Sequence, residues 1–367
     1  MRITRVEVYG YDLTYAHGEY VMSSGRSARA QASTLVRIIT DVGLEGWGES
    51  CPLAGTYLPT FPGAVRAAIA ELAPALLGLD PRELGVVNAR MDAVLLGQPA
   101  AKSPLDIACW DILGRSLGVP VATLLGGRLS ERFPLYMAVP VGTPEAVAAF
   151  VRDRRTDGIR HFQLKVGDDP HEDVRRTRSA LEAAGDDSVV VADANGGWSL
   201  QDALIAVREL ESLPVYLEQP CRSLADCLHV RRATSLPMIY DESVTGPESL
   251  LTVVRDGGGG AVNLKIGKVG GLTRARLMRD LAAELGVALT IEDTWGGDVT
   301  TAAVSHLAAS TPPRSRFTVS FFNDWTREHV AGHRPRSDQG FGSAPLEPGL
   351  GVDVELGALG DPLITVG

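Results

Sequence analysis

The chain has 367 residues, 45% of them hydrophobic and 22% charged, with a net charge of −10. That length suggests two or three domains around a sizeable core, and the acidic balance weighs against partners that are themselves polyanions, nucleic acid and anionic membrane surfaces among them. Four cysteines (Cys51, Cys109, Cys221, Cys227) in no CxxC pair make no disulfide framework, the start MRITRVEVYG reads as a strand rather than a signal sequence, and no stretch has the length of apolar residues a membrane span needs, so a soluble cytoplasmic protein is expected.

The opening, with Ile3, Val6, Val8 and Tyr11 roughly alternating, reads as a strand, and Ser33–Ile39 (STLVRII) as a second. Helical spacing follows over Ala64–Leu77, Val86–Leu96 and Pro104–Leu117, the last stopped by Gly118 and Pro120. Residues 1–126 therefore read as an α+β capping domain. From residue 127 to 339 a short β-rich run recurs eight times: Phe133–Val139, His161–Val166, Ser188–Asp193, Tyr216–Gln219, Met238–Asp241, Ala261–Ile266, Ala288–Asp293 and Arg316–Phe322. Amphipathic stretches intervene, including Pro170–Ala184, Leu200–Leu213, Gly271–Leu285 and Thr300–Ala309. Units of about 25 residues in that number predict a (β/α)8-type barrel. The loop-rich tail, 340–367, is expected to return to the capping domain and complete it.

In such a barrel the chemistry sits where strands end. Strand two ends in Lys165, three in Asp193, four in Glu218, five in Asp241 and six in Lys265, at gaps of 28, 25, 23 and 24 residues. A lone Asp or Lys there is ordinarily a solvated loop residue or a helix cap; five in register, each after an apolar run, should converge on one mouth. Three carboxylates brought together repel one another unless a cation neutralises them. All-oxygen ligation without His or Cys points to one Mg2+ per site rather than to zinc. Lys165 and Lys265, on strands two and six, should stand across the ring, one on each face of a bound substrate. A lysine works as a base near neutral pH only when its pKa falls from about 10.4 to about 7–8, the direction in which enclosure and a nearby cation push it.

At these residues the chain resembles the enolase superfamily, specifically its muconate-lactonizing subgroup, over essentially its whole length. The resemblance implies that Asp193, Glu218 and Asp241 hold Mg2+, that Lys165 and Lys265 are the acid/base pair, and that the α-proton of a small-molecule carboxylate is abstracted through a metal-stabilised enolate. It implies no other cofactor and a homo-oligomer. Strand two carries Gln163-Leu164-Lys165 where the subgroup has Lys-x-Lys, and Glu292-Asp293 close strand seven where mandelate racemase relatives have a histidine. Three segments, WGESCPLAGTY (47–57), LEQPC (217–221) and EDTWGGDVTTAAVSHLAA (292–309), resemble the hydroxyproline-betaine 2-epimerases and cis-3-hydroxy-L-proline dehydratases. A ring ammonium needs an anion, which Asp293, with Glu292 behind it, would supply. The betaine epimerases set a strand-eight tryptophan against a quaternary nitrogen; RFTVSFF puts Ser320 there, so a secondary amine such as proline or hydroxyproline is expected instead.

Tyr57 in a capping loop, Trp295 after strand seven and Asn195 after Asp193 are further candidate substrate contacts. His306 follows a helical register and reads as core or cap. No Walker loop, completed GxGxxG or HExxH occurs. Other substrates of the same chemistry are a dipeptide or N-acylamino acid, for an epimerase, and a muconate, for a cycloisomerase. A different class, a Schiff-base barrel lyase, would use a single lysine.

Overall fold

The computed structural model describes residues 1–367. Eight parallel strands pair in chain order: Tyr136–Val139, His161–Lys165, Val189–Asp193, Val215–Glu218, Met238–Tyr240, Ala261–Lys265, Ala288–Glu292 and Arg316–Val319, here numbered one to eight. A parallel bridge from Leu135 to Val319 joins the last strand to the first, so the sheet is a barrel. Alternation along each strand sorts the interior into layers. Val191, Ile239 and Ala261 make an apolar floor. Gln163 and Asn263 lie above it, and the charged strand ends close the top.

Seven helices cover the barrel outside: Pro144–Thr156, Pro170–Ala184, Leu200–Leu210, Leu224–Arg232, Pro247–Gly257, Leu272–Glu284 and Asp298–Ala309, numbered one to seven after the strands they follow. Strand eight leads only into a short 3-10 turn, Phe322–Trp325, and the tail. The first four helices start on their own side chains, with Thr143, Asp169, Ser199 and Ser223 each accepting a backbone N–H of the first turn. Such caps satisfy donors that the helix cannot.

The capping domain is an antiparallel sheet ordered Ile364–Val366, Ile3–Thr14, Ala30–Thr40, Glu45–Ser50. Its outer strand is the chain's tail, with Val366 opposite Val6 and Ile364 opposite Val8. The helix Pro99–Leu117 lies against the strand Glu45–Ser50 so closely that a Cβ at Gly48 would sit 1.9 Å from the Pro104 carbonyl oxygen. Only glycine permits that approach, and the helix is thereby buried between sheet and barrel.

Several boundaries differ from the sequence reading for local reasons. This helix begins at Pro99, not Pro104, because Pro99 takes the first-turn position where a missing N–H is harmless, while Pro104 lies inside the helix. Val86–Leu96 is realised as Leu84–Val94, and Ala64–Leu77 as Pro62–Leu72 plus a 3-10 turn over Ala73–Leu76. The first β run splits at Leu135: Phe133–Pro134 pairs with Phe341–Gly342 outside the barrel. No helix is long and apolar enough to cross a membrane, and all four cysteines are free and buried.

Candidate active site

Pairing places the charged strand ends on one level. Lys165 is opposite Asp193, Asp193 opposite Glu218, and Lys265 opposite Glu292. Asp241 follows strand five directly, so all five residues meet at the C-terminal mouth, each no more than 5% exposed.

Lys165 donates to Asp193 Oδ2. Lys265 donates to Glu292 Oε1 at 2.6 Å and lies 3.1 Å from Asp241 Oδ2. The Asp241 carboxylate also accepts from Tyr57 Oη (2.6 Å) and from Lys268 Nζ (2.9 Å). Burial would raise Asp241, but the two ammonium groups of Lys265 and Lys268 outweigh it and hold the carboxyl well below its usual range. Glu218 goes the other way. Burial, then the charges of Asp193 and Asp241, push it well up, although Gln163 Nε2 (2.9 and 3.1 Å) and Asn263 Nδ2 (2.6 Å) donate to it. Gln163, which stands where the subgroup has a second lysine, thus orients Glu218.

Neither lysine has the lowered pKa that enclosure alone would give. Burial pulls both ammonium groups down, but Asp193 at Lys165, and Asp241 and Glu292 at Lys265, more than compensate, and both lie above the ordinary value. Two buried ions in contact favour each other's charged form as long as nothing else neutralises the carboxylates.

At strand seven, Glu292 is the inward group. Its carboxylate takes Lys265 on one oxygen and the Tyr136 hydroxyl on the other. Asp293, expected in front, is instead pinned by the N–H groups of Gly267 (2.9 Å) and Thr294 (2.6 Å), and burial raises it to about 7. Strand alternation is the reason: successive residues cannot both face the lumen. Trp295 is buried among Tyr15, Tyr20, Phe322 and Trp325 with its indole N–H unpartnered. Ser320, at the end of strand eight, is 1% exposed with a free hydroxyl.

Asn195 sits at φ +46, its N–H on Asp193 Oδ1 and its Nδ2 donating to Glu242 Oε1 at 3.0 Å. Asn195 Oδ1 and Glu242 Oε2 are buried without partners. Asn195, Glu242 and Tyr57 line a cavity of about 370 Å³ beneath the capping loops. Sequence reasoning missed Lys268, Tyr20, Tyr136, Asn263 and Glu242. Lys268 carried a signal, one helical turn beyond Lys265; Tyr136 carried none, being an aromatic in an apolar run, and nothing in the polar stretch 17–25 singled out Tyr20, whose phenol lies beside Lys165.

As the side chains lie, no three Asp, Glu, His or Cys groups stand close enough to grip one ion. The donors themselves suit a hard divalent cation: buried, all oxygen, on adjacent strands, with Glu218 raised by burial and by its neighbours' charge.

Comparison with known proteins agrees with this architecture. Residues 11–126 match the model of the mandelate racemase/muconate lactonizing enzyme N-terminal domain, and residues 146–358 that of the enolase C-terminal domain-like family. A cis-3-hydroxy-L-proline dehydratase of Roseibium aggregatum is 42% identical over 99% of both chains. An N-succinyl-L-Arg/Lys racemase of Bacillus cereus is 30% identical over 84% of this chain and 85% of its own. Among solved structures, an enolase superfamily member from Roseovarius nubinhibens complexed with magnesium superposes with a TM-score of 0.93 at 36% identity, covering 100% of this chain and 99% of that one. With both domain models matched in order and the strand-end charges gathered at one mouth, the chain belongs to the enolase superfamily, in its mandelate racemase/muconate lactonizing branch.

Proposed function

We propose that the protein removes the α-proton of a proline-derived amino acid, most consistently dehydrating cis-3-hydroxy-L-proline. The observation that carries this reading is the pair Lys165 and Lys265, buried on opposed strands of the ring with carboxylates between them. Asp193, Glu218 and Asp241 would hold Mg2+, which when bound takes up their charge, binds the substrate carboxylate and stabilises the negative charge that develops on it.

One lysine, uncharged, accepts the α-proton on its Nζ, and the electron pair left on Cα forms the Cα–C3 double bond as the 3-hydroxyl leaves. That oxygen takes a proton from the lysine ammonium on the face it occupies and departs as water. A substrate without that hydroxyl would be epimerised instead, the lysine on the far face returning a proton to Cα. Glu292 offers negative charge to the ring ammonium, with Asp293 held behind it by Gly267 and Thr294, and Tyr57, Asn195 and Trp295 bound the space around it. The 42% identity to a cis-3-hydroxy-L-proline dehydratase supports the choice of dehydration.

The test is a screen in D2O against cis-3-hydroxyproline, proline, 4-hydroxyprolines, their betaines and dipeptides, read by mass and optical rotation, with EDTA and restored Mg2+ as controls. Loss of water from cis-3-hydroxy-L-proline, abolished by EDTA, is expected. Turnover of dipeptides or a muconate with no reaction of any proline derivative would overturn the substrate assignment. A product trapped by borohydride on a lysine would instead indicate a Schiff base.

A further inference from the structure

Barrel helices six and seven differ from the first four at their start. They begin at Gly271 and Gly297, which have no side chain to cap with, and in both cases the cap comes from the capping domain. Asp106, on the Pro99–Leu117 helix, accepts the Thr273 N–H at 2.9 Å and the Thr273 hydroxyl at 2.6 Å. Glu49, in the strand Glu45–Ser50, accepts the N–H groups of Gly297 (3.0 Å) and Thr300 (2.8 Å). Both carboxylates are fully buried, and each is fixed from its own side: Asn88 donates to Asp106, Tyr11 and Ser33 to Glu49. At Gly271, φ is +112° and a Cβ would stand 2.4 Å from Asp106 Oδ2, so the barrel has no room there for a cap of its own.

These caps lie close to the chemistry. Six residues separate Lys265 from helix six, and four separate Glu292 from Gly297. The other lysine is supported differently. Helix two is capped by its own Asp169, and Asp173 on the same helix accepts the N–H groups of Gly167 and Asp168. At this loop the capping domain adds Ser24 N–H to Asp168, an exposed contact, and sets the Tyr20 phenol beside Lys165, but it caps no helix there.

We infer that Glu49 and Asp106 are positioning residues: by capping helices six and seven across the domain boundary they fix Lys265 and Glu292. The capping domain thereby caps the helices behind one of the two acid/base lysines and leaves the cap behind the other to the barrel. The step from caps to lysines rests on the reading of Lys165 and Lys265 as groups acting on opposite faces.

The experiment compares Glu49→Gln and Asp106→Asn with the unaltered, Mg2+-supplied enzyme. Amides of residues 294–301 and 270–275 respectively should exchange with deuterium roughly tenfold faster, the scale of a lost cap, while those of 166–173 do not change. In D2O, α-proton exchange of the proline enantiomer served by Lys265, identified as the one lost in Lys265→Ala, should fall about tenfold or more. Exchange of the other enantiomer should persist. Tyr11→Phe, which loosens Glu49 without removing it, should act in the same direction more weakly, and it serves if Glu49→Gln does not fold. An equal fall for both enantiomers, or unchanged amide exchange, would overturn the inference. If the unaltered enzyme exchanged neither enantiomer, the acid/base reading would fail, and the amide data alone would still decide whether the caps hold the two helices.

Discussion

The two halves of the barrel mouth are built on different terms. On the strand-two side, Lys165 meets one carboxylate, Asp193, and its following loop is held by the barrel's own Asp169 and Asp173. On the strand-six side, Lys265 meets two carboxylates, lies 5.4 Å from the centre of the Tyr57 ring, and its flanking helices are held by residues of another domain. The difference teaches that apparent symmetry of function, an amine on each face, does not require symmetry of support. A half that carries its own caps draws its helix starts from the barrel alone; a half capped from outside draws them from the capping domain.

The largest effect is expected where the halves share their charge. Asp193→Asn, Glu218→Gln and Asp241→Asn should each lower turnover by roughly 10³-fold or more, as removal of several kcal/mol of charge stabilisation requires, with the far-ultraviolet dichroism of the barrel retained. Near-full activity in any one of the three would remove that residue from the proposed ion site. Relief of the crowding should be visible too: in Asp241→Asn one of the charges that raise Glu218 is gone, so Glu218 should titrate lower, as followed by its carboxyl signal in NMR.

A sharper break between the halves comes from the lysines singly. Lys165→Ala and Lys265→Ala should each abolish epimerisation, a loss of the order of 10²–10⁴-fold for a missing general base. Each should keep α-proton exchange with only one enantiomer, and not the same one. If both variants exchanged the same enantiomer, the amines would not serve opposite faces and the comparison itself would collapse.

Much of this was legible in the sequence because it is written in short-range pattern. The 23- to 28-residue spacing of Lys165, Asp193, Glu218, Asp241 and Lys265 follows the strand–helix repeat, so the repeat alone places them at one mouth. Caps such as Asp169 and Ser199 are equally local. Glu49 and Asp106 were not legible, because their partners Thr300 and Thr273 lie 251 and 167 residues away. Nor could spacing tell whether Glu292 or Asp293 faces inward; adjacent residues differ by one step of the pleat, and the strand's end shifts by that much for reasons of loop geometry. The direction of the lysine pKa values was not legible for a third reason. Enclosure and a cation push them down and contact ion pairs push them up, and the sequence shows which charges converge but not which touch.

The smallest effect concerns the same seam at a residue away from the chemistry. His306, on helix seven and fully buried, accepts the Ala122 N–H at Nδ1 (3.2 Å) and donates from Nε2 to the Leu350 carbonyl (3.0 Å). One nitrogen accepting and the other donating is the neutral imidazole. It thereby ties the capping-domain side of the barrel, through Ala122, to the returning tail, through Leu350. Burial lowers its pKa to about 4, below the value near 6.5 that the unfolded chain would show. The folded state therefore binds the proton less readily than the unfolded one. The contribution is complete above pH 6.5 and is lost as pH falls toward 4, up to the order of 3 kcal/mol. His306→Gln keeps one acceptor and one donor but cannot titrate. It should be somewhat less stable than the parent at pH 7.5, and the gap in melting temperature should close or reverse between pH 6.5 and 4. Amide exchange in helix seven of the parent should rise over that interval before exchange in helix two does, since helix two contacts neither the imidazole nor its partners. Parallel melting curves for the two proteins across the interval would mean that His306 is already charged in the fold. The acid sensitivity of the capped half would then have to be sought among its carboxylates.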